Sequence, residues 1–276
     1  MENFISELIK IALKEDINEE CDVTSSVIFD NEKDHFYLLS KDEGILCGIE
    51  MFKKVFDTID PAIKIETEIC DGDKIEKNMV VAKIFGKVSA ILKAERTALN
   101  LLSHLSGIAS KTYEFVRETN GRSTILDTRK TLPGLRALQK YAVRSGGGEN
   151  HRMGLYDMIM IKDNHIDAAG GIEGAVKKIR DKWGNKYKLE VETRTMEEVE
   201  KALISGVDRI MLDNMNIETM RKAVELINGK TETEASGNMT LERISKVSQT
   251  GVDYISVGEL THTVKAFDFS LKRGKK

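Results

Sequence analysis

Apolar residues Phe4, Ile5, Leu8, Ile9, Ala12 and Leu13 recur at helical spacing and predict an amphipathic helix ending at the turn of Glu15 and Asp16. The period then shortens. Residues 35–39, 44–47 and 63–69 read as strands, with a helix over 49–57 between them, a turn at Asp71, Gly72 and Asp73, and a further strand over 79–85. This makes a small α+β unit. Leu92, Leu101, Leu102, Leu105 and Ile108 then predict a long helix starting at Ser89, which bears Glu95 and Arg96 and leads out of that unit.

A second regime follows. Strand-like runs at 124–126, 158–161, 188–191, 209–212, 231–235 and 254–257 alternate with helical segments at 135–143, 172–182, 196–205, 217–227 and 241–248. Strands alternating with helices imply parallel pairing. A polar residue or a glycine follows each strand: Asp127, Lys162, Glu192, Asp213, Ser236 and Gly258. An open doubly wound sheet is compatible with the alternation, but a barrel gathers all of these positions at one mouth. In the run KLEVE, Glu190 and Glu192 share the phase opposite to Leu189 and Val191, so both carboxylates are expected to point into the barrel, as are Glu232 and Glu234. Buried carboxylates need cations, and Lys130 and Lys162 are the candidates. The expected class is α/β, with an α+β domain over 1–108 and a barrel domain over 109–276 whose C-terminal tail has room to pack back on the first.

Composition narrows the function. A chain of 276 residues with 41% hydrophobic content is globular, and a net charge of −3 argues against a nucleic-acid binder. Cys21, Cys47 and Cys70 are few and widely spaced, which predicts neither a disulfide framework nor a zinc site. The N-terminal stretch carries charges throughout, so no signal peptide is expected, and the longest stretch free of Lys, Arg, Asp and Glu, 97–110, is too short to span a membrane. A cytoplasmic protein is the expectation. Against this background, residues 126–165 stand out, with seven Lys and Arg and two of the five histidines against four acids. Such a patch asks for an anion.

Within it, Asp127, Arg129 and Lys130 follow one strand, Lys162 follows the next, and His151 and Arg152 follow Gly146, Gly147 and Gly148. Those glycines could simply end a helix, but three in succession are expected to let the backbone approach a ligand. Ser236, Gly237 and Asn238 follow one late strand and Gly258 another, where barrels form phosphate sites. Glu192 and Asp213 could be helix-capping acids; facing phosphates, they also suit Mg²⁺.

The strings ERTALNLLSHLSGIAS, LDTRKTLPGLR, SGGGENHRMGLYDMIMIKDNHI, LEVE, MLDN, EASGN and ISVGELTHT, with EDINEECDVTS near residue 15, resemble the quinolinate phosphoribosyltransferase family across nearly the whole chain. Cys21 stands where that family more often has glycine, outside the catalytic strings. The resemblance implies an incomplete parallel (β/α) barrel, of about six strands here, and a Mg²⁺-dependent transfer of phosphoribose from phosphoribosyl pyrophosphate to quinolinate. The products are nicotinate mononucleotide, pyrophosphate and CO₂, a step of de novo NAD biosynthesis. It also implies homodimers, or a higher oligomer, with shared active sites. By the same resemblance, Arg129, His151, Arg152 and Lys162 hold quinolinate, and Arg96 reaches into the neighbouring subunit's site. Lys130 serves the pyrophosphate and ribose, Glu192 and Asp213 the ribose and Mg²⁺, and Ser236, Gly237 and Gly258 the 5-phosphate; Thr128 and Asn238 belong to the same substrate-binding strings. The catalytic set is then Lys130, Lys162, Glu192 and Asp213. A paralogue acting on another ring acid such as nicotinate is the nearest alternative. A barrel aldolase using Lys162 as a Schiff-base lysine is the alternative from another class, and a sugar-phosphate sensor without turnover is a third.

Overall fold

The structure is a computed structural model that describes residues 2–18 and 21–274; Met1, and Glu19 and Glu20 of the EDINEECDVTS string, lie outside the described residues. The chain forms two units, one running to Ser110 and resuming at Val264, the other spanning 111–263. The first contains α1 (Glu2–Ile17), α2 (Ser25–Ile28), β1 (Lys33–Ser40), β2 (Gly44–Ile45), α3 (Ile49–Ile59), β3 (Lys64–Glu66), β4 (Lys74–Ile75), β5 (Val80–Lys87) and most of α4 (Val88–Glu118).

Its main sheet is antiparallel. Strand β1 alternates, burying Phe36, Leu38 and Ser40, and pairs with β5, which pairs in turn with β3. Ile49, Phe52, Val55 and Phe56 of α3 share one core with Ile9 and Leu13 of α1 and with Ile91, Ala94, Ala98 and Leu102 of α4. Each of the larger side chains among these, from valine to phenylalanine, contributes roughly 1.5–3 kcal/mol by leaving water. Helix α1 runs past Glu15 and Asp16 to Ile17, and only 64–66 of the expected strand 63–69 is regular. Helix α4 is longer than the sequence pattern marked, because buried Thr112 and Phe115 prolong its apolar stripe to Glu118. The stretch from Val264, grouped by sequence with the barrel domain and its returning tail, lies in the first unit. There β12 (Phe269–Arg273) pairs antiparallel with β1, from Phe36 opposite Arg273 to Ser40 opposite Phe269.

The second unit alternates strand and helix: β6 (Thr124–Leu126), α5 (Arg136–Ser145), β7 (Ile159–Ile161), α6 (Asp163–Ala169), α7 (Ile172–Trp183), β8 (Leu189–Thr193), α8 (Met196–Ile204), β9 (Arg209–Asp213), α9 (Ile217–Ile227), β10 (Glu232–Ser236), α10 (Leu241–Ser248), β11 (Tyr254–Ser256) and α11 (Glu259–His262). The six strands form one parallel sheet in the order β6-β11-β10-β9-β8-β7. All five residues of β8 are buried, as expected when helices cover one face of a sheet and the barrel interior the other. The order leaves β6 and β7 as free edges. A single parallel bridge fills part of that gap: Glu149 N–H donates to Ile125 O at 2.9 Å, and Asp127 N–H donates to Glu149 O at 3.2 Å. The segment carrying His151 and Arg152 therefore stands where a missing strand would be.

Candidate active site

One cavity of about 640 Å³ opens at the C-terminal ends of the six strands. It is lined by residues at or just beyond the ends of all six, so the strands gather around a single mouth. All expected site residues except Arg96 line it: Thr128, Arg129, Lys130, His151, Arg152, Lys162, Glu192, Asp213, Ser236, Gly237, Asn238 and Gly258. Arg96 lies in the first unit, exposed on α4.

The strand order sorts these groups into three arcs. The end of β6, the bridging segment and the end of β7 carry Arg129, His151, Arg152 and Lys162. The neighbouring ends of β8 and β9 carry Glu192 and Asp213, and the ends of β10 and β11 carry the glycine loops.

In the first arc, Arg129, Lys130 and Arg152 have no ion-pair partner among the described residues. Arg152 donates from its guanidinium to Met158 O at 3.2 Å, and its pKa is lowered by burial and then by the charge of Arg129. Two guanidinium groups that repel each other beside a cavity are stabilised by an anion between them. Lys162 is differently occupied. Its ammonium meets Glu192 Oε2 at 2.6 Å, and its backbone N–H donates to His165 Nδ1 at 3.0 Å, which starts α6.

Asp127 is a correction. Expected at the mouth, it is fully buried beneath it, where its carboxylate accepts the Lys140 ammonium, the Asn150 amide at 2.6 Å and the His151 N–H at 2.9 Å. The glycine run is a second correction. Gly146 caps α5, Gly147 takes φ 88°, and a Cβ on Gly148 would press on Thr112, Val143 and Ile125 O, so the run ends a helix and allows close packing without lining the cavity.

In the second arc, neither acid caps a helix. The caps lie further on, where Thr195 Oγ1 accepts the Glu198 N–H at 3.2 Å and Asn216 Oδ1 the Thr219 N–H at 2.9 Å. Asp213 is left accepting from the Asn214 amide at 2.7 Å, with no ion pair among the described residues. Two hard carboxylates on adjacent strand ends, next to the glycine loop after β10, are oxygen donors of the kind that suits a Mg²⁺ that keeps several waters.

The third arc is built from backbone. Gly237 and Asn238 take φ of 91° and 48°, and a Cβ on Gly237 would run into the Asn214 amide. Arg243 donates to Gly237 O at 3.1 Å, Asn238 O at 3.3 Å and Met215 O at 2.7 Å. Because a trans peptide points its N–H opposite to its C=O, the Asn238 and Met239 N–H groups face away from Arg243, and neither has a partner among the described residues. Gly258 is needed for a different reason: a Cβ there would press on Lys130 and His262, both of which line the cavity.

Below the mouth one of the two expected cations serves the interior acids, and the other does not. Glu192 takes Lys162, but Lys130 pairs with none of them. Arg209 instead holds Glu234 and Glu232, each at 3.0 Å, and stacks over Tyr254 at 3.9 Å; the inward phase of Arg209, Met211 and Asp213 is the signal that would have shown it. His151 Nε2 stands 3.0 Å from Glu190 and 3.3 Å from Glu234, off-axis to both, so that Nε2 and the Glu190 oxygens lack a well-aligned hydrogen bond. Burial opposes charge on His151, but these carboxylates hold its pKa up at about 9. Burial and Glu234 together push Glu190 to about 7. Glu234 is also penalised by burial, yet His151, Ser256 and Arg209 keep its pKa low. The Arg152 N–H donates to His151 Nδ1 at 2.7 Å, and one proton is shared between His151 and Glu190. With the proton on either group, the cluster of Arg209, His151, Glu190 and Glu234 is neutral. His262, Met160, Met211 and Met239 also line the cavity and carried no separate signal in the sequence beyond the ELTHT string.

Two family models match, the quinolinate phosphoribosyl transferase N-terminal domain over 22–106 and the C-terminal domain over 108–272. The chain is 47% identical over 290 residues to a tobacco (Nicotiana tabacum) protein named quinolinate phosphoribosyltransferase [decarboxylating] 2b, mitochondrial, covering 97% of this chain and 82% of that one. It is 46% identical over 251 residues to a probable nicotinate-nucleotide pyrophosphorylase [carboxylating] of Bacillus subtilis, covering 91% and 87%. The crystal structure of NadC from Streptococcus pyogenes superposes with a TM-score of 0.95 at 40% identity, covering 100% of this chain and 99% of that one. With both domain models matched in order and relatives aligned over more than four fifths of their length, the chain belongs to the quinolinate phosphoribosyl transferase family.

Proposed function

We propose that the protein transfers phosphoribose from phosphoribosyl pyrophosphate to quinolinate, with decarboxylation, to give nicotinate mononucleotide, pyrophosphate and CO₂. The observation that carries this is the division of one cavity into a guanidinium arc, a carboxylate arc and an N–H arc, in that order. The order matches a ring diacid, a ribose whose C1 becomes cationic, and a 5-phosphate. Arg129 and Arg152 bind the two ring carboxylates, since a guanidinium fork fixes the orientation of a planar acid as well as its charge. Lys162, held by Glu192, stands beside them.

The pyridine nitrogen attacks ribose C1 as the C1–O bond to pyrophosphate breaks. Positive charge grows on the sugar and negative charge on the leaving group; Glu192 and Asp213 face the first and Lys130 the second. Glu192 and Asp213 would also hold Mg²⁺, whose charge would offset that of the pyrophosphate. The N–H groups at Asn238 and Met239, with Ser236 and Gly258, hold the 5-phosphate. Loss of CO₂ from ring C2 then leaves an electron pair that the quaternised nitrogen stabilises until a proton replaces it. A Schiff-base role for Lys162 is disfavoured by its ion pair with Glu192.

Arg96 is exposed, without an ion pair among the described residues, and we assign it to the cavity of a second copy in a homodimer. The free cysteines Cys21, Cys47 and Cys70 accord with a reducing, cytoplasmic setting. Among the described residues no helix is long and apolar enough to cross a membrane. Purified protein mixed with quinolinate, phosphoribosyl pyrophosphate and Mg²⁺ should release CO₂ and form the mononucleotide. Nicotinate in place of quinolinate should not react; turnover of nicotinate alone would point to the paralogous activity.

A further inference from the structure

The second unit contains a buried ion pair that the proposed chemistry does not use. Asp127 and Lys140 are both fully buried, Asp127 following β6 and Lys140 on the inner face of α5. Removing two charges from water costs several kcal/mol per ion, and an apolar pair of similar volume is often as stable or more so. Stability is therefore a poor reason for this pair. What an apolar pair could not do is bind the backbone of one particular residue by both its N–H and its C=O.

That is what this pair does. The His151 N–H donates to Asp127 at 2.9 Å, and the Lys140 ammonium donates to His151 O at 2.9 Å. Asn150, the residue before, donates from its amide to Asp127 at 2.6 Å and to Lys140 O at 2.8 Å. The same helix face holds the flanking loops: Arg136 donates to Thr131 Oγ1 at 3.0 Å and to Met153 O at 3.1 Å, and Gln139 accepts the Leu132 N–H at 2.9 Å. None of these bonds reaches the ends of β10 or β11.

We propose that Asp127 and Lys140 are positioning residues for the dicarboxylate half of the site, fixing the His151 backbone so that Arg152 and Arg129 keep the spacing a ring diacid needs. The segment they hold crosses the gap between β6 and β7, where among the described residues one bridge ties it to the sheet, so the position of Arg152 depends on this pair more than on strand pairing. The inference rests on the proposed substrate.

The test is calorimetry on the full chain, titrating quinolinate and, separately, phosphoribosyl pyrophosphate with Mg²⁺. Asp127→Asn keeps an acceptor for the His151 N–H, whereas the double variant Asp127→Asn/Lys140→Met removes both charges and so leaves neither unpaired. In the folded double variant the quinolinate Kd should rise on the order of tenfold or more, and that for phosphoribosyl pyrophosphate should stay within about twofold. Asp127→Asn should show the same split to a smaller degree. Unchanged quinolinate affinity in a folded double variant overturns the positioning role, as does an equal loss of both ligands. Failure of both variants to fold also overturns it, because the pair would then serve stability. A wild-type protein that binds no quinolinate sinks the substrate reading itself, a separate result.

Discussion

Arg152 gathers the constraints of the site into one side chain: half-buried, repelled by Arg129, anchored to Met158 O, and lacking an acid of its own among the described residues. Arg152→Lys keeps the charge and loses the fork, so quinolinate binding should weaken by about 1.5–3 kcal/mol, the range for a charged hydrogen bond, while phosphoribosyl pyrophosphate binding barely changes. Calorimetry with each substrate decides this, and equal losses would count against the assignment. At this scale the sequence was most informative where residue type and position agreed, as for Arg129, Arg152 and Lys162 at or beside strand ends. It misled for Asp127, because nothing local distinguishes an acid that faces the mouth from one drawn under it by a lysine thirteen residues away. Arg209 was missed for the complementary reason: a cation at the start of a strand reads as solvated until both neighbouring strands present inward acids.

At the scale of elements, the ends of β8 and β9 present acids that the following helices leave free, because Thr195 and Asn216 do the capping. Asp213→Asn should therefore leave stability intact and lower kcat by at least ~10²-fold, the size expected when one electrostatic group is lost. A folded variant with near-normal turnover would return Asp213 to a passive role. The interior cluster makes a separate demand. Below pH 6.5 an unfolded His151 is largely protonated; above it, the folded cluster holds about one proton more than the unfolded chain until His151 titrates near 9. A folded pKa raised in this way gives stability that is full at low pH and lost as pH rises, so stability should fall from about pH 6.5 to 9 by on the order of 1 kcal/mol per pH unit. Glu190→Gln removes the need for that proton and should flatten the slope. Urea unfolding at several pH values would measure both proteins, and parallel curves would locate the slope elsewhere. Element types were legible because period-2 and period-3.6 patterns rarely coincide; β12 was not, since a short edge strand with Lys272 and Arg273 at its end looks like a charged tail.

For the whole molecule, the assignment of Arg96 to a second copy predicts complementation. Arg96→Ala and Lys130→Ala homodimers should each be nearly inactive, yet equal amounts allowed to exchange subunits should recover about a quarter of wild-type activity, since half the dimers are hybrids with one intact site. Verified exchange without recovery would mean that Arg96 acts within its own chain. Two units were foreseeable from the change of period near residue 110, as was a tail that packs back on the first; that it does so as a strand paired with β1 was not, because that pairing is a contact across more than two hundred residues of sequence. That pairing bears on the order of synthesis. On the ribosome β1 emerges early, while its outer neighbour is translated only after the whole of the second unit. Until then β1 has an unpaired edge, which is a template for another nascent chain on the same message. The first unit can thus complete its sheet only once the second has been synthesised.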